Sequence, residues 1–245
     1  LTNRLISPDA AKGGIAESRK AYERLRPGPH RLVRMVVRDS ADFRGDGVSV
    51  TVGAMTAISL AMANYLTERD GSVPPELGAE VTIAKAGTPT ARNHFRNAGV
   101  GLFPDVEDLR ERAQRIKESM DERRARASHP SSAASDLALN AVPGPLVRWG
   151  VQQYDFTAVP DEVTGNTVVS SVARGDADLM LGGGVVRFTA GFPSLSPVMS
   201  LTHGVHGIGD TVTISITSSP ASIPDIDVYE QMMHDAIDEV REALS

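Results

Sequence analysis

The 245-residue chain contains no cysteine, few aromatic residues and no excess of positive charge. Without cysteine there is no disulfide framework, no cysteine metal ligand and no thiol nucleophile. Aromatic residues make up 4% of the chain, with one tryptophan, so the core must be mainly aliphatic residues and methionine. Lys and Arg total 25 against 31 Asp and Glu, and the net charge of −6 argues against a general nucleic-acid binder. No uninterrupted apolar run approaches the roughly 18 residues of a membrane span.

What remains is the composition of an ordinary globular protein, with 41% hydrophobic and 23% charged residues. The length suits one large domain or two small ones. The sequence begins at Leu1 with no charged-then-apolar signal segment. We therefore expect a processed product or a piece of a longer chain.

Hydrophobic periodicity predicts a layered fold. In residues 31–38, Val33, Met35 and Val37 lie on one side and two arginines on the other, which is the two-residue period of a strand. Further strands are predicted over 79–86, 98–103, 167–173, 179–181, 185–189 and 211–217, and helices over 16–25, over 51–68 from a Thr51 cap, from Asp105 and from Asp225. The helix over 51–68 is apolar nearly all round and should be deeply buried. The order of these elements predicts an α/β (α+β) fold, a mixed sheet with helices on one face.

Two patterns that could carry chemistry are incomplete. The triplet Gly182-Gly183-Gly184 lacks the Lys-Ser/Thr of a phosphate loop and opens no helix, so it predicts a turn or bulge between strands. Five serines could in principle act as nucleophiles, but none lies in G-x-S-x-G and no base is near in sequence. These are Ser170, Ser171, Ser194, Ser196 and Ser200.

His203, His206 and Asp210 form H-x-x-H-x-x-x-D, a set of groups that could bind zinc. The surrounding glycines instead predict a loop leading into a strand, where the two imidazoles would not converge as they do on a helix. A glycine-rich loop with polar side chains bonded to its backbone is the favoured interpretation, ahead of a loop lining a substrate channel. We expect no metal site.

A basic turn, Arg123, Arg124 and Arg126, ends the helix that follows Asp105. It could contact an anionic surface. The favoured interpretation is simpler, because cations near a helix C-terminus complement the helix dipole.

Ordered segments from about residue 31 to 244 resemble one family. Residues 51–54, TVGA, resemble its T-V-N-D, and residues 168–175, VVSSVARG, resemble its V-V-S-N-V-P-G-P. Residues 192–197 are similar to its Y-P-V-S-P-L, residues 203–209 fall on its L-N-G-Q-G-L-N-I-T turn, and Ile223-Pro224-Asp225 matches the start of its last helix. The chain thus resembles the C-terminal half of the bacterial, largely actinobacterial and mycobacterial, wax ester synthase / diacylglycerol acyltransferase family.

The resemblance implies a chloramphenicol-acetyltransferase-like lobe, as in condensation domains, formed by residues 31–245 after an N-terminal extension or crossover segment over 1–30. It implies the C-terminal lobe of a CoA-dependent O-acyltransferase, one wall of a channel for acyl-CoA and a lipid alcohol. Acyl-CoA would be a substrate, and no cofactor is expected. The implied wall residues are Ser170, Ser171, Arg174, His203 and His206.

The chain also departs from the family pattern. The family's general base is the His of H-H-x-x-x-D-G, which does not occur in these 245 residues. Gly53-Ala54 replaces the family's Asn-Asp, and Ser171 replaces an Asn. We therefore expect no catalytic residue in this chain and no activity from it alone. A partner chain or segment should carry the N-terminal lobe, across an interface above roughly 2,000 Å² to which residues 160–210 contribute heavily.

Two other functions stay open at this stage. The chain could be a degenerate, non-catalytic homologue that acts as a scaffold or a lipid-binding partner subunit, or a lone binding module. An H-H-x-x-x-D-G motif upstream of Leu1 would favour the enzyme. The expected location is cytoplasmic, with peripheral contact to the inner membrane or a lipid droplet as a further option.

Overall fold

Most of the predicted strands join one six-stranded sheet. The computed structural model describes residues 29–74, 76–85, 88, 94–129, 141–153, 164–196 and 199–245. The strands are β1 (Leu32–Asp39), β2 (Gly78–Ala84), β3 (Phe95–Gly101), β4 (Thr167–Ala173), β5 (Met180–Leu181), β6 (Gly184–Val185), β7 (Leu201–Ile208) and β8 (Thr211–Ser218). The helices are α1 (Val50–Asp70), α2 (Leu109–Ala127), α3 (Gly144–Gln153) and α4 (Ile226–Leu244), with a 3-10 helix over Ser40–Phe43. The helix predicted over 16–25 lies outside the described residues.

The sheet has the order β1-β8-β7-β4-β2-β3. Strand β4 runs parallel to both β2 and β7, and the other pairs are antiparallel. β5 and β6 form a separate two-stranded hairpin. The expected mixed α/β sheet is therefore confirmed, and β4 and β7 lie at its centre.

Helices α1, α2 and α4 cover one face of the sheet. Val36, Val81, Val169, Val205 and Ile214 of the sheet belong to the same buried core as side chains of these three helices. Helix α1 is buried over most of its circumference, as predicted. Helix α1 is also long and apolar enough to cross a membrane (mean hydropathy 1.3), although the sequence has no uninterrupted apolar run of that length. Inside the protein, however, 67% of this apolar window is buried. It is the central core helix of this lobe.

The start of α2 differs from the sequence prediction. The helix begins after Asp108, whose side chain accepts a hydrogen bond from the Glu111 amide (2.8 Å), rather than at Asp105. The buried Arg112 guanidinium donates to the backbone carbonyls of Val106 (2.8 Å) and Pro104 (3.3 Å). Because these bonds hold the preceding residues in a loop, the helix begins at Leu109.

Two further sequence predictions are corrected. Residues 203–209, predicted as a glycine-rich loop, lie mostly in β7. Of the strand predicted over 185–189, only Val185 lies in a strand, although the Val186 amide also donates to the Leu179 carbonyl (2.9 Å). Residues 186–196, here named the strap, form no regular strand. The glycine triplet does turn the chain between β5 and β6, with positive φ at Gly182 (57°) and Gly183 (82°), a geometry that glycine adopts without strain.

The sheet's second face, here named the open face, lacks a helix among the described elements. Val33, Met35 and Val37 of β1 point to this face and are exposed. Arg34 and Arg38 point the other way and form ion pairs with α4, at Asp227 (2.5 Å) and Asp238 (3.1 Å). The predicted two-sided strand is thus present, with its arginines on the helix side.

Candidate functional site

The two histidines of the H-x-x-H motif project to opposite faces of β7. Side chains alternate along a strand, so residues three positions apart cannot share a face. His203 points to the helices and His206 to the open face, as their bonding and packing partners show. Within the described part of the chain, no group of three or more His, Cys, Asp or Glu residues could hold a metal ion.

His203 is a core residue. Its Nδ1 lies 2.8 Å from Thr167 Oγ1, and its Nε2 lies 3.0 Å from the Tyr229 hydroxyl. Thr167 also donates to the Leu201 carbonyl (3.1 Å). Burial lowers the pKa of His203 to about 3, so the ring is neutral at physiological pH. Because both nitrogens are occupied and the ring is fully buried, the structure places His203 away from any surface that a substrate could reach.

Ser171 is also on the helix side. Its hydroxyl lies 2.8 Å from the hydroxyl of Thr51, in the first turn of α1. This bond ties the end of β4 to the start of the core helix. Ser171 is partly accessible, but its hydroxyl has this partner.

Ser170, Arg174 and His206 share the open face. Ser170 alternates with the core residue Val169, and Val172, two residues along, is paired in register with His206. Arg174 follows β4 directly, and its amide donates to the Gly207 carbonyl (2.8 Å). Burial and the positive charge of Arg174 both lower the pKa of His206. Of the five implied wall residues, three therefore lie together on the open face. The other two, Ser171 and His203, lie on the helix side of the sheet.

The strap packs over this part of the open face. The Ser215 hydroxyl donates to the Gly191 carbonyl, and the Thr202 hydroxyl donates to the Pro193 carbonyl (2.7 Å). Gly191 lies against the His206 ring, and a Cβ at Gly204 would overlap the Gly191 carbonyl. Gly204 is therefore needed for the close approach of strap and strand. No sequence pattern indicates the roles of Gly191, Thr202 or Ser215.

A set of polar atoms beneath and beside the strap has no hydrogen-bond partner among the described residues. The set comprises His206 Nδ1, Thr189 Oγ1, Thr213 Oγ1 and Thr217 Oγ1, all buried. His206 and Thr213 are direct cross-strand neighbours. Buried polar groups are normally satisfied, so this region is suited to ordered water or to polar groups of a ligand. A neutral imidazole, hydroxyls and a nearby cation favour carbonyl or anionic oxygen.

Next to the strap, the β5–β6 hairpin presents apolar side chains to solvent. Leu181 at its tip is 81% exposed, and Leu179, Met180 and Val185 are also exposed. Several exposed apolar side chains on one short hairpin are typical of an interaction site.

Gly53 and Ala54 stand where the resembled pattern has an Asn-Asp pair, and both are apolar and buried. A Cβ at Gly53 would overlap the Phe43 carbonyl, and Ala54 is fully buried. Neither position therefore offers a polar side chain to a substrate.

Comparison with solved structures supports the same fold. The structure matches the wax ester synthase/diacylglycerol acyltransferase from Marinobacter aquaeolei VT8 with a TM-score of 0.62 at 18% identity, over 96% of this chain and 57% of that one. It also matches the starter condensation domain of rhizomide synthetase RzmA in complex with C8-CoA (mutant R148A), with a TM-score of 0.52, 16% identity, and coverage of 90% and 48%. The chain thus spans little more than half of the first structure. No curated protein sequence matches it.

A family comparison covers most of the described sheet and helices. The family described as the WS/DGAT C-terminal domain matches residues 93–241, which is more than half of the chain. This stretch contains β3, β4, β7, β8, α2 and most of α4, together with the strap and the hairpin. The chain therefore belongs to the WS/DGAT C-terminal domain family.

Proposed function

We propose that this chain is the C-terminal lobe of an O-acyltransferase that moves an acyl group from acyl-CoA to a lipid alcohol. Its open face, around Ser170, Arg174 and His206, would form one wall of the substrate channel. The observation that carries this proposal is the set of buried, unpartnered polar atoms beside the strap, within a domain of an acyltransferase family.

In this reaction a general base takes the proton of the acceptor hydroxyl as its oxygen attacks the thioester carbonyl. The tetrahedral intermediate then collapses to an ester, and the CoA sulfur leaves and is protonated. The base needs an accessible imidazole with a pKa near the operating pH. His203 does not meet this requirement, because it is buried and its pKa is about 3. We propose that the base belongs to the N-terminal lobe.

The open face has groups of the kinds that a channel wall would need. Neutral hydroxyl and imidazole groups offer hydrogen bonds to a carbonyl or pantetheine amide, while Val33, Met35 and Val37 offer apolar surface to an acyl chain. Arg174 adds a positive charge for an anionic oxygen. Ligand sites commonly combine an apolar lining with a few polar groups in this way. The C8-CoA of the rhizomide synthetase complex is a ligand of that protein, and for this chain acyl-CoA is our proposed substrate.

We further propose that the missing lobe docks beside this face. The β5–β6 hairpin has two residues in each strand, and an isolated hairpin of this kind is marginally stable in water. Its exposed apolar side chains would be buried by a second lobe. The incomplete coverage of the Marinobacter structure supports a longer functional unit.

Photolabelling tests the channel wall. An acyl-CoA carrying a diazirine in its acyl chain is irradiated with the assembly of this chain and its N-terminal lobe, and labelled peptides are identified by mass spectrometry. We expect label in β4, the strap and β7, and loss of that label when unmodified acyl-CoA is added. His206→Phe, which fills the polar region, should reduce labelling. Ser128→Ala, at the far end of α2, is the control and should not.

Competable label confined to the outer surfaces of α2 and α4 would contradict the proposal. So would unchanged labelling of the strap in the His206→Phe protein.

A further inference from the structure

Helix α3 is an apolar helix with no buried residue. All ten of its residues, Gly144–Gln153, are exposed. Trp149, the one tryptophan of the chain, is 63% exposed, and Leu146 is 58% exposed. A large apolar side chain normally gains stability from burial, so a helix with this composition is expected to have an apolar contact elsewhere.

The side chains of α3 are arranged for one kind of surface. Arg148 and Gln152 are four residues apart and share one narrow side of the helix. Leu146, Val147, Trp149 and Val151 lie on the wider remaining side, which also includes Gly150 and Gln153. Helices that lie in a lipid interface have a wide apolar side that includes Trp or Leu and a polar side with Arg or Lys.

The charge of the surrounding sequence points the same way. Residues 123–153, from the last turn of α2 to the end of α3, contain four arginines and one aspartate, a net charge of +3. The whole chain has −6, so the remainder carries −9. Arg123, Arg124 and Arg126 stand at the end of α2, and Arg124 is exposed despite its ion pair with Asp121 (3.4 Å). A basic, apolar segment in an otherwise acidic chain has the charge that an anionic lipid surface would attract.

We propose that α3 inserts its apolar side into the headgroup region of an anionic phospholipid membrane, and that the basic end of α2 strengthens this contact. Tryptophan is well suited to this depth, because its ring is apolar and its N–H can bond to water or headgroups. The arginines add attraction to the negative surface. The contact would place the lobe where lipid alcohols reside. It does not depend on the proposed acyl transfer, since it is a property of α3 and its charges.

Vesicle binding, with Trp149 as an internal reporter, tests this proposal. The purified chain is mixed with phosphatidylcholine vesicles that contain or lack phosphatidylglycerol, and bound protein is separated by flotation. With anionic vesicles we expect co-flotation, a blue shift of tryptophan emission and quenching by brominated lipid. Added salt should weaken binding because it screens the arginines.

Variants separate the two parts of the contact. Leu146→Asp keeps the reporter and should abolish flotation, with a nearly unchanged unfolding midpoint because Leu146 is more than half exposed. Arg123→Gln combined with Arg124→Gln should weaken binding by roughly fivefold per arginine. Leu181→Asp, on the hairpin, is the matched control and should bind vesicles like the unmodified chain.

Three results would overturn the proposal. The first is an absence of binding to anionic vesicles at low salt. The second is equal binding by the Leu146→Asp protein, or equal loss in the Leu181→Asp protein. The third is that adding the N-terminal lobe, without lipid, shifts Trp149 emission to the blue and protects it from acrylamide, which would identify a protein as the occupant.

Discussion

His203 Nε2 lies 3.0 Å from the Tyr229 hydroxyl, so the central strand β7 and the last helix α4 are joined by a hydrogen bond inside the core. Tyr229 is fully buried, and its ring also meets Tyr65 edge-on at a centroid distance of 5.5 Å. The two histidines of β7 therefore differ in role. His203 joins the sheet to the helices, whereas His206 lies on the opposite face of the strand.

Removing the Tyr229 hydroxyl should leave His203 Nε2 buried without a partner. Tyr229→Phe is expected to lower the free energy of unfolding by about 1–3 kcal/mol, the cost of an unsatisfied buried polar group. Urea unfolding measures it. A double-mutant cycle with His203→Met isolates the pair, and a coupling energy indistinguishable from zero would contradict the proposed bond.

Stability should fall when the pH drops below about 6.5. The pKa of His203 is lowered from 6.5 to about 3 in the folded protein because the ring is buried. Above 6.5 both folded and unfolded states hold it neutral, and between 6.5 and 3 only the unfolded state binds the proton. Each pH unit in that window should therefore cost at most about 1.4 kcal/mol from this residue.

Urea unfolding at several pH values between 7.5 and 4.5 measures this dependence. His203→Gln should flatten the slope. His206→Gln should flatten it too, though less, since its pKa is also lowered. The carboxylates of Asp70, Asp121 and Asp238, whose pKa values are lowered from 3.8, contribute only at more acidic pH. An equal slope in the unmodified and His203→Gln proteins would show that His203 titrates normally.

Gly204 and Gly207 offer a matched pair of substitutions on one strand. A Cβ at Gly204 would overlap the Gly191 carbonyl, whereas a Cβ at Gly207 has no atom within 4 Å. Gly204→Ala should displace the strap and cost roughly 1–3 kcal/mol, as overpacking does, while Gly207→Ala should be close to neutral. Thermal unfolding and limited proteolysis within 186–196 measure both effects. Similar behaviour of the two variants would show that the strap is not seated on β7.

Several elements could be predicted from sequence because their pattern is local. The alternating side chains of residues 211–217 predict strand β8, and a strand is also predicted over 167–173, where β4 lies. The last helix was predicted from apolar residues at three- and four-residue steps, and Tyr229, Met233, Ile237 and Val240 are indeed buried.

Strand β7 could not be predicted in the same way, because its glycines resemble those of a loop. Gly204 is in fact required by the strap, which only the folded structure brings against this strand. Nearly every residue of β7 is buried on one face or the other, so no alternation is visible. For the same reason the sequence pattern placed His203 and His206 in one motif, although their side chains lie on opposite faces of β7.

The hairpin should contribute strongly to docking of the missing lobe. Leu181→Asp places a charge on its most exposed apolar position and should weaken the complex by about 30-fold or more, as a central interface residue does. Sedimentation velocity with the N-terminal lobe measures this, and Leu146→Asp on α3 is the control with no expected effect. A stable, soluble 26.0 kDa monomer that associates with no such lobe would contradict the docking proposal.

The most direct test of the account is ester formation from labelled acyl-CoA and a long-chain alcohol or diacylglycerol. The assay compares residues 1–245 alone with the same chain joined by a lobe carrying H-H-x-x-x-D-G, and free CoA thiol is measured in parallel. We predict no turnover by the chain alone, because His203 is buried and neutral and no family base is present. The assembly should release one thiol for each ester formed. Robust turnover by residues 1–245 in isolation would contradict the claim that this lobe depends on a partner for catalysis.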